Sequence, residues 1–172
     1  MLRLGTIGLT AALALPAVVP HPAAAPNLIF APSPCTYAVT FPAQPTVSQS
    51  TALDGGTSVA ADLVHGSVRF SAGCIAGAAG QPVKPLPPSE AQTRITQMAR
   101  ALGVQGASLR PLGKLGANCA EIDGTLGDGT APYRIISRIC ITAASTFIAE
   151  TIARAGPEDG DARKFLESVV LK

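Results

Sequence analysis

The chain contains no tryptophan, and aromatic residues make up only 4% of it. The core must therefore be filled mainly by Val, Ile, Leu and Ala, small side chains that each bury little area at about 25 cal/mol per Å². Charge of one sign is also lacking. The formal net charge is +2 over 172 residues, which provides no electrostatic footprint for nucleic acid or an anionic membrane surface. Histidine is scarce: only His21 and His65 occur, and His21 lies in the opening segment. Histidine is the commonest general base at neutral pH, so nucleophilic catalysis would have to rely on His65 alone. Neither a GxSxG elbow, a P-loop nor a GxGxxG fingerprint is present to accompany it. Internal repeats and low-complexity tracts are absent as well.

What is present begins with the first twenty-five residues. Arg3 precedes an apolar run from Leu4 to Val19, and a small-residue tract, Ala23-Ala24-Ala25, follows. This is the three-part layout of a secretory signal peptide. The run contains Pro16 and falls short of the about 20 apolar residues that span a bilayer. The expected organisation is a signal peptide over 1–25, an extended proline-rich leader over 26–34 and a single domain over 35–172. Pro26 next to Ala25 leaves the cleavage point open by several residues. Export, to the periplasm or beyond the cell, places Cys35, Cys74, Cys119 and Cys140 where disulfides form and persist.

From Cys35 onward the apolar residues Tyr37, Val39 and Phe41 alternate with Thr36, Ala38 and Thr40, the period of a half-buried strand, which Pro42 and Pro45 stop. A polar loop follows. Val59, Ala61 and Leu63, then Val68, Phe70 and Ala72, alternate about His65-Gly66 and predict a hairpin. Cys35 and Cys74 share the inward parity of their strands. After a Gly/Pro-rich loop over 77–88, Ser89 and Gln92 have capping-box spacing. Ile95, Met98, Ala99 and Leu102 then mark one helical face, opposite a solvated face with Arg94, Gln97 and Arg100, and Gly103 ends the helix. Strand formers over 112–126 and 133–141 flank Gly127-Asp128-Gly129-Thr130 as a second hairpin. A further strand over 146–154 follows. Asp161 caps a short helix with Ala162, Phe165, Leu166 and Val169 on its apolar side, and residues 169–171 are placed to close the sheet.

Four cysteines allow three pairings. A turn centred between Gly129 and Thr130 sets Cys119 opposite Cys140 within disulfide reach, which leaves Cys35 with Cys74. A zinc site using His65 is disfavoured because no two cysteines form a CxxC or similarly short chelate. The same absence removes the usual signal of a thiol oxidoreductase. Glu121 and Asp123 project to one face of a strand, as a paired-carboxylate hydrolase needs. Arg134 and Arg138 on the partner strand supply a simpler account: cross-strand ion pairs decorating an exposed sheet face. His65 beside Gly66 reads as a tolerant turn residue. No catalytic, cofactor-binding or metal-binding residue is therefore assigned, and no cofactor is expected.

The order of these segments carries a resemblance. The strand TYAVTFPAQPTV, the stretch ending in VRFSAGC, the amphipathic helix, GKLGANCAEIDG, RIISRICI and the closing ARKFLESVVL, taken together from Tyr37 to Leu171, resemble the exported PsbP-like domains. Phe41-Pro42-Ala43-Gln44-Pro45 and Phe165 to Val169 are its most telling parts. The resemblance implies an α+β fold, an antiparallel sheet packed with helices in an α/β/α sandwich, with no family-wide catalytic residues to carry over. The expected function is that of an exported accessory or protein-interaction domain without catalytic activity, with an unknown protein partner, no nucleic acid, and no membrane association once the signal is removed. A small-molecule or lipid-binding domain with an apolar groove is the alternative, and a small hydrolase the second.

Overall fold

A computed structural model describes residues 28–33, 35–51, 55–78, 86–127, 130–154 and 160–172. The signal-peptide segment lies outside them, as do Pro34, residues 79–85 of the Gly/Pro-rich loop, and Asp128 and Gly129 of the predicted turn. The elements in chain order are β1 (Leu28–Phe30), β2 (Tyr37–Phe41), β3 (Thr46–Thr51), β4 (Thr57–His65), β5 (Val68–Ala76), α1 (Pro88–Ala101), β6 (Gln105–Pro111), β7 (Cys119–Leu126), β8 (Tyr133–Ile141), β9 (Ser145–Arg154), α2 (Gly160–Glu167) and β10 (Val170–Leu171).

Two sheets result. Seven strands run in the order β3-β4-β5-β9-β8-β7-β6, and three run β1-β2-β10. Every neighbouring pair is antiparallel. The large sheet is thus two meanders, β3 to β5 and β6 to β9, zipped together along β5 and β9. Its β5–β9 pairing is unbroken from Val68↔Ala153 to Ala76↔Ser145.

The expected helix-packed α+β architecture is corrected by this arrangement. Strands account for 54% of the described residues, and the helices are two short ones of 14 and 8 residues, so the fold is a β-sandwich. The physical reason lies in β2. Its alternation is legible, but the strand does not join the large sheet; it pairs with β1 and β10 instead, and that small sheet covers one face of the large one together with α2. Residues 28–30 of the expected leader form β1, and Phe30 is buried. Residues 169–171 close the small sheet through Val170↔Ala38 and Leu171↔Tyr37.

The scarce aromatics are concentrated between the two sheets. All five phenylalanines and Tyr37 are buried there. Phe165 of α2 meets Phe41 edge-on at 4.9 Å between ring centroids and Phe70 at 5.3 Å, and Tyr37 stacks on Phe147 at 5.8 Å. Such pairs add about 0.5–1.5 kcal/mol each beyond their area. Two disulfides lie in the same layer. Cys35–Cys74 joins the small sheet's leading segment to β5, and Cys119–Cys140 links β7 to β8 at directly opposed positions, Cα atoms 4.1 Å apart.

On the other face α1 sets Ile95 and Ala99 against Ala120, Ile122, Ile139 and Ile141. The predicted apolar face is realised except for Leu102, which is exposed. The capping box is not formed. The N-cap is Pro87, in extended conformation and without a side-chain cap hydrogen bond, and Pro88 opens the helix; proline is preorganised for the first helical turn and lacks an N–H needing a partner there. Gly103 ends the helix at φ +71°, a left-handed conformation that glycine adopts without strain.

Candidate functional site

Antiparallel register decides which polar side chains meet, because directly opposed residues project to the same face. On the α1 side of the large sheet, Asp62 of β4 opposes Ser71 of β5, Ser71 opposes Glu150 of β9, and Glu150 opposes Ser137 of β8. Four strands therefore contribute one continuous polar row. α1 packs on β6, β7 and β8, and leaves Ser58, Ala60, Asp62, Ser71, Gly73 and Glu150 half-exposed beside it. The next row is small on β4 and β5, with Ala60 opposite Gly73, and continues on β9 with Ile148. Among the described residues, a Cβ added at Gly73 would meet no atom within 4 Å, which leaves space at this position on the Glu150 side.

Glu150 is the chemically distinctive member. Burial pushes its carboxyl above the ordinary carboxylate range, and the nearby Asp62 charge adds to that effect. The hydrogen bond from Ser137 Oγ to Oε2 at 3.1 Å and the Arg69 charge oppose the shift without overcoming it. Arg69 is engaged with Asp62, donating from Nε at 3.2 Å and Nη2 at 2.7 Å to the same oxygen. Its hydrogen bonds to Asp62, the Asp62 charge and the Glu150 charge raise the Arg69 pKa, partly offset by burial. Asp62 and Arg69 thus neutralise one another and leave Glu150 as a carboxylate whose main local support is a serine hydroxyl.

The two carboxylates singled out from sequence lie on the opposite face, with the disulfides and aromatics. Asp123 receives Arg134 at 3.0 and 2.6 Å. Glu121 takes Arg110 on Oε1 at 2.6 Å and Arg138 on Oε2 at 2.9 Å, with Arg163 of α2 at 3.6 Å. These are the cross-strand ion pairs anticipated, but the face is not an exposed one. The Glu121 and Arg138 side chains are 7% and 11% exposed, with α2 reaching both through Arg163 and the Leu166 carbonyl. Arg138 Nη1 also donates to the Leu166 carbonyl of α2 at 2.6 Å. Burial alone would raise the Glu121 pKa; the combined hydrogen bonds and charges of Arg110 and Arg138 outweigh it and hold the carboxyl below its ordinary range. Glu121 is therefore a fixed acceptor that ties α2 to the sheet.

His65 ends β4 at the tip of the β4–β5 hairpin and is exposed. It shares no hydrogen bond or ion pair with Glu121 or Asp123 among the described residues. All four cysteines are disulfide-bonded. Among the described residues no three His, Cys, Asp or Glu side chains converge as a metal site would require, and no helix is long and apolar enough to cross a membrane.

Sequence reasoning does not find the grouping of Asp62, Arg69, Ser71, Ser137 and Glu150. One signal for it exists: Ile148, Glu150 and Ile152 occupy one parity of β9, and a carboxylate between two isoleucines on one strand face indicates a group held half out of water. No family model matches the chain, and no curated protein matches it either.

Proposed function

We propose that the chain is a binding domain of the extracytoplasmic space, and that the half-open sheet face around Glu150 holds a small ligand through an amine group. The single observation that carries this reading is Glu150 itself. A desolvated carboxylate hydrogen-bonded by Ser137, on a floor of Ser58, Ala60, Ser71 and Gly73, gains from a further cation, because the nearby Arg69 is hydrogen-bonded to Asp62 and its charge does not overcome the burial of Glu150. The two disulfides support an oxidising destination, and the signal-like opening supports export.

Of the functions anticipated from sequence, the ligand-binding one gains most. The groove it supposes is apolar, whereas the face around Glu150 is lined by small and polar residues. A hydrolase using Glu121 and Asp123 is weakened because both carboxylates are saturated by arginines and His65 stands apart from them.

The test is thermal unfolding of the disulfide-intact protein against a panel of primary amines and, in parallel, uncharged polyols. At a hundredfold excess over Kd a ligand contributes about 2.7 kcal/mol, which for a chain of this length raises Tm by about 5–11 °C. Amines are expected to stabilise the protein and Glu150→Gln to abolish the effect. A flat response to every amine, or an equal response in Glu150→Gln, overturns the reading.

A further inference from the structure

We propose that β3 is a self-association edge, through which two copies of this chain pair antiparallel about a twofold axis at Gln49 and join their large sheets into one. Among the described residues the large sheet has two unpaired edges, β3 and β6, and they are built differently. At the β6 edge the register with β7 shifts between Gln105 and Ser108, Gly106 sits at φ +60°, Arg110 carries charge and Pro111 lacks an N–H. Bulges, charges and proline are the devices by which an edge is kept from pairing.

The β3 edge has none of them. Thr46–Thr51, TVSQST, is uncharged, contains no proline, and keeps an unbroken register with β4 from Thr46↔Asp62 to Thr51↔Thr57. All six residues are exposed. Val47 is 55% exposed although it opposes the fully buried Ala61, so the apolar face of the sheet runs out to this edge uncovered.

The order of residues favours a second copy over an unrelated extended peptide. Val47-Ser48-Gln49-Ser50-Thr51 is a chemical palindrome: antiparallel pairing about Gln49 sets Gln49 against Gln49, Ser48 against Ser50, and β-branched Val47 against β-branched Thr51. Each is a compatible cross-strand pair, and an isologous twofold contact needs such self-complementarity. No like charges are brought together, and a net charge of only +2 does little to oppose association. The axis stands perpendicular to the sheet, so the two Glu150 faces come to lie side by side on one surface.

Sedimentation velocity of the disulfide-intact protein over a wide concentration range tests this. A monomer–dimer equilibrium is expected, with the dimer lost in Gln49→Lys, which sets two cations against each other at the axis, and in Val47→Lys. Both side chains are exposed, so thermal unfolding of the monomers should be unchanged. Because all four native cysteines are paired, Gln49→Cys introduces a single thiol. Mild oxidation should convert it to a covalent dimer much faster than Ala107→Cys on β6. A monomer at every concentration, a dimer that survives both lysine variants, or equal crosslinking at the two edges overturns the proposal.

Discussion

Removing the Glu121 carboxylate should unfold the protein far more readily than loss of a surface charge would. Both oxygens are used: Arg110 holds one at 2.6 Å, and Arg138 holds the other at 2.9 Å with Arg163 alongside. Glu121→Ala leaves the Arg138 guanidinium buried, with the Leu166 carbonyl as a neutral acceptor in place of a carboxylate. Breaking a buried pair by deleting one partner costs about 3–5 kcal/mol, whereas exchanging both partners for apolar residues of similar volume is often neutral or better. Glu121→Ala is thus expected to lower Tm by about 6–20 °C for a chain of this length. The double variant Glu121→Leu, Arg138→Met should be more stable than either single substitution. Urea denaturation at neutral pH under non-reducing conditions, applied to the unsubstituted protein and to each of these variants, measures the differences. A loss of about 1 kcal/mol or less for Glu121→Ala, the value of an exposed pair, would mean that this cluster is not buried under α2.

Acid should act on the buried Glu121 and the half-buried Glu150 in opposite directions. The lowered pKa of Glu121 contributes stability above the ordinary carboxylate range that is lost as pH falls through the lowered value. The raised pKa of Glu150 contributes stability that is full below the ordinary range and lost as pH rises through the raised value, so Glu150→Gln should stabilise the protein at neutral pH and flatten that limb of the pH–stability curve. Removing Cys35–Cys74 by paired alanine substitution is expected to cost about 4 kcal/mol, and removing Cys119–Cys140 about 3 kcal/mol, from the loop lengths of 39 and 21 residues in the chain-entropy picture; equilibrium denaturation of each variant checks the order. Gly124→Ala should destabilise by about 1–3 kcal/mol, because its Cβ would lie 2.5 Å from Val104 Cγ1 and 2.9 Å from the Gln105 carbonyl oxygen, whereas Gly73→Ala meets open space and should be tolerated. Differential scanning calorimetry of the two glycine variants distinguishes these outcomes.

Local periodicity makes most elements legible. The 2-residue alternation of β2, β4 and β5 and the apolar positions of α1 and α2 are written in the chain, since each buries one face. β3 reads as a polar loop because it has no buried face: an edge strand exposed along its length leaves no alternation to detect. β6 is hidden for the same reason. Which sheet a strand joins is decided by partners far away in sequence. β2 pairs with residues on either side of it, 28–30 and 170–171, and that long-range choice turns the expected helix-packed fold into a sandwich. The candidate site shows the same division. Glu121 with Arg138 follows from one hairpin, but the burial that sets their role depends on α2, and the Asp62-Ser71-Glu150-Ser137 row exists only once β5 is laid against β9.

Amine binding at Glu150 is decided by chemical-shift mapping with a simple primary amine. On titration the amide signals around Asp62, Ser71, Ser137 and Glu150 should move together, the Glu150 carboxyl should titrate at lower pH once the amine is bound, and both effects should vanish in Glu150→Gln. Shifts confined to the α2 face, or a Glu150 carboxyl that titrates in the ordinary carboxylate range and ignores the amine, would rule out this face as the binding site.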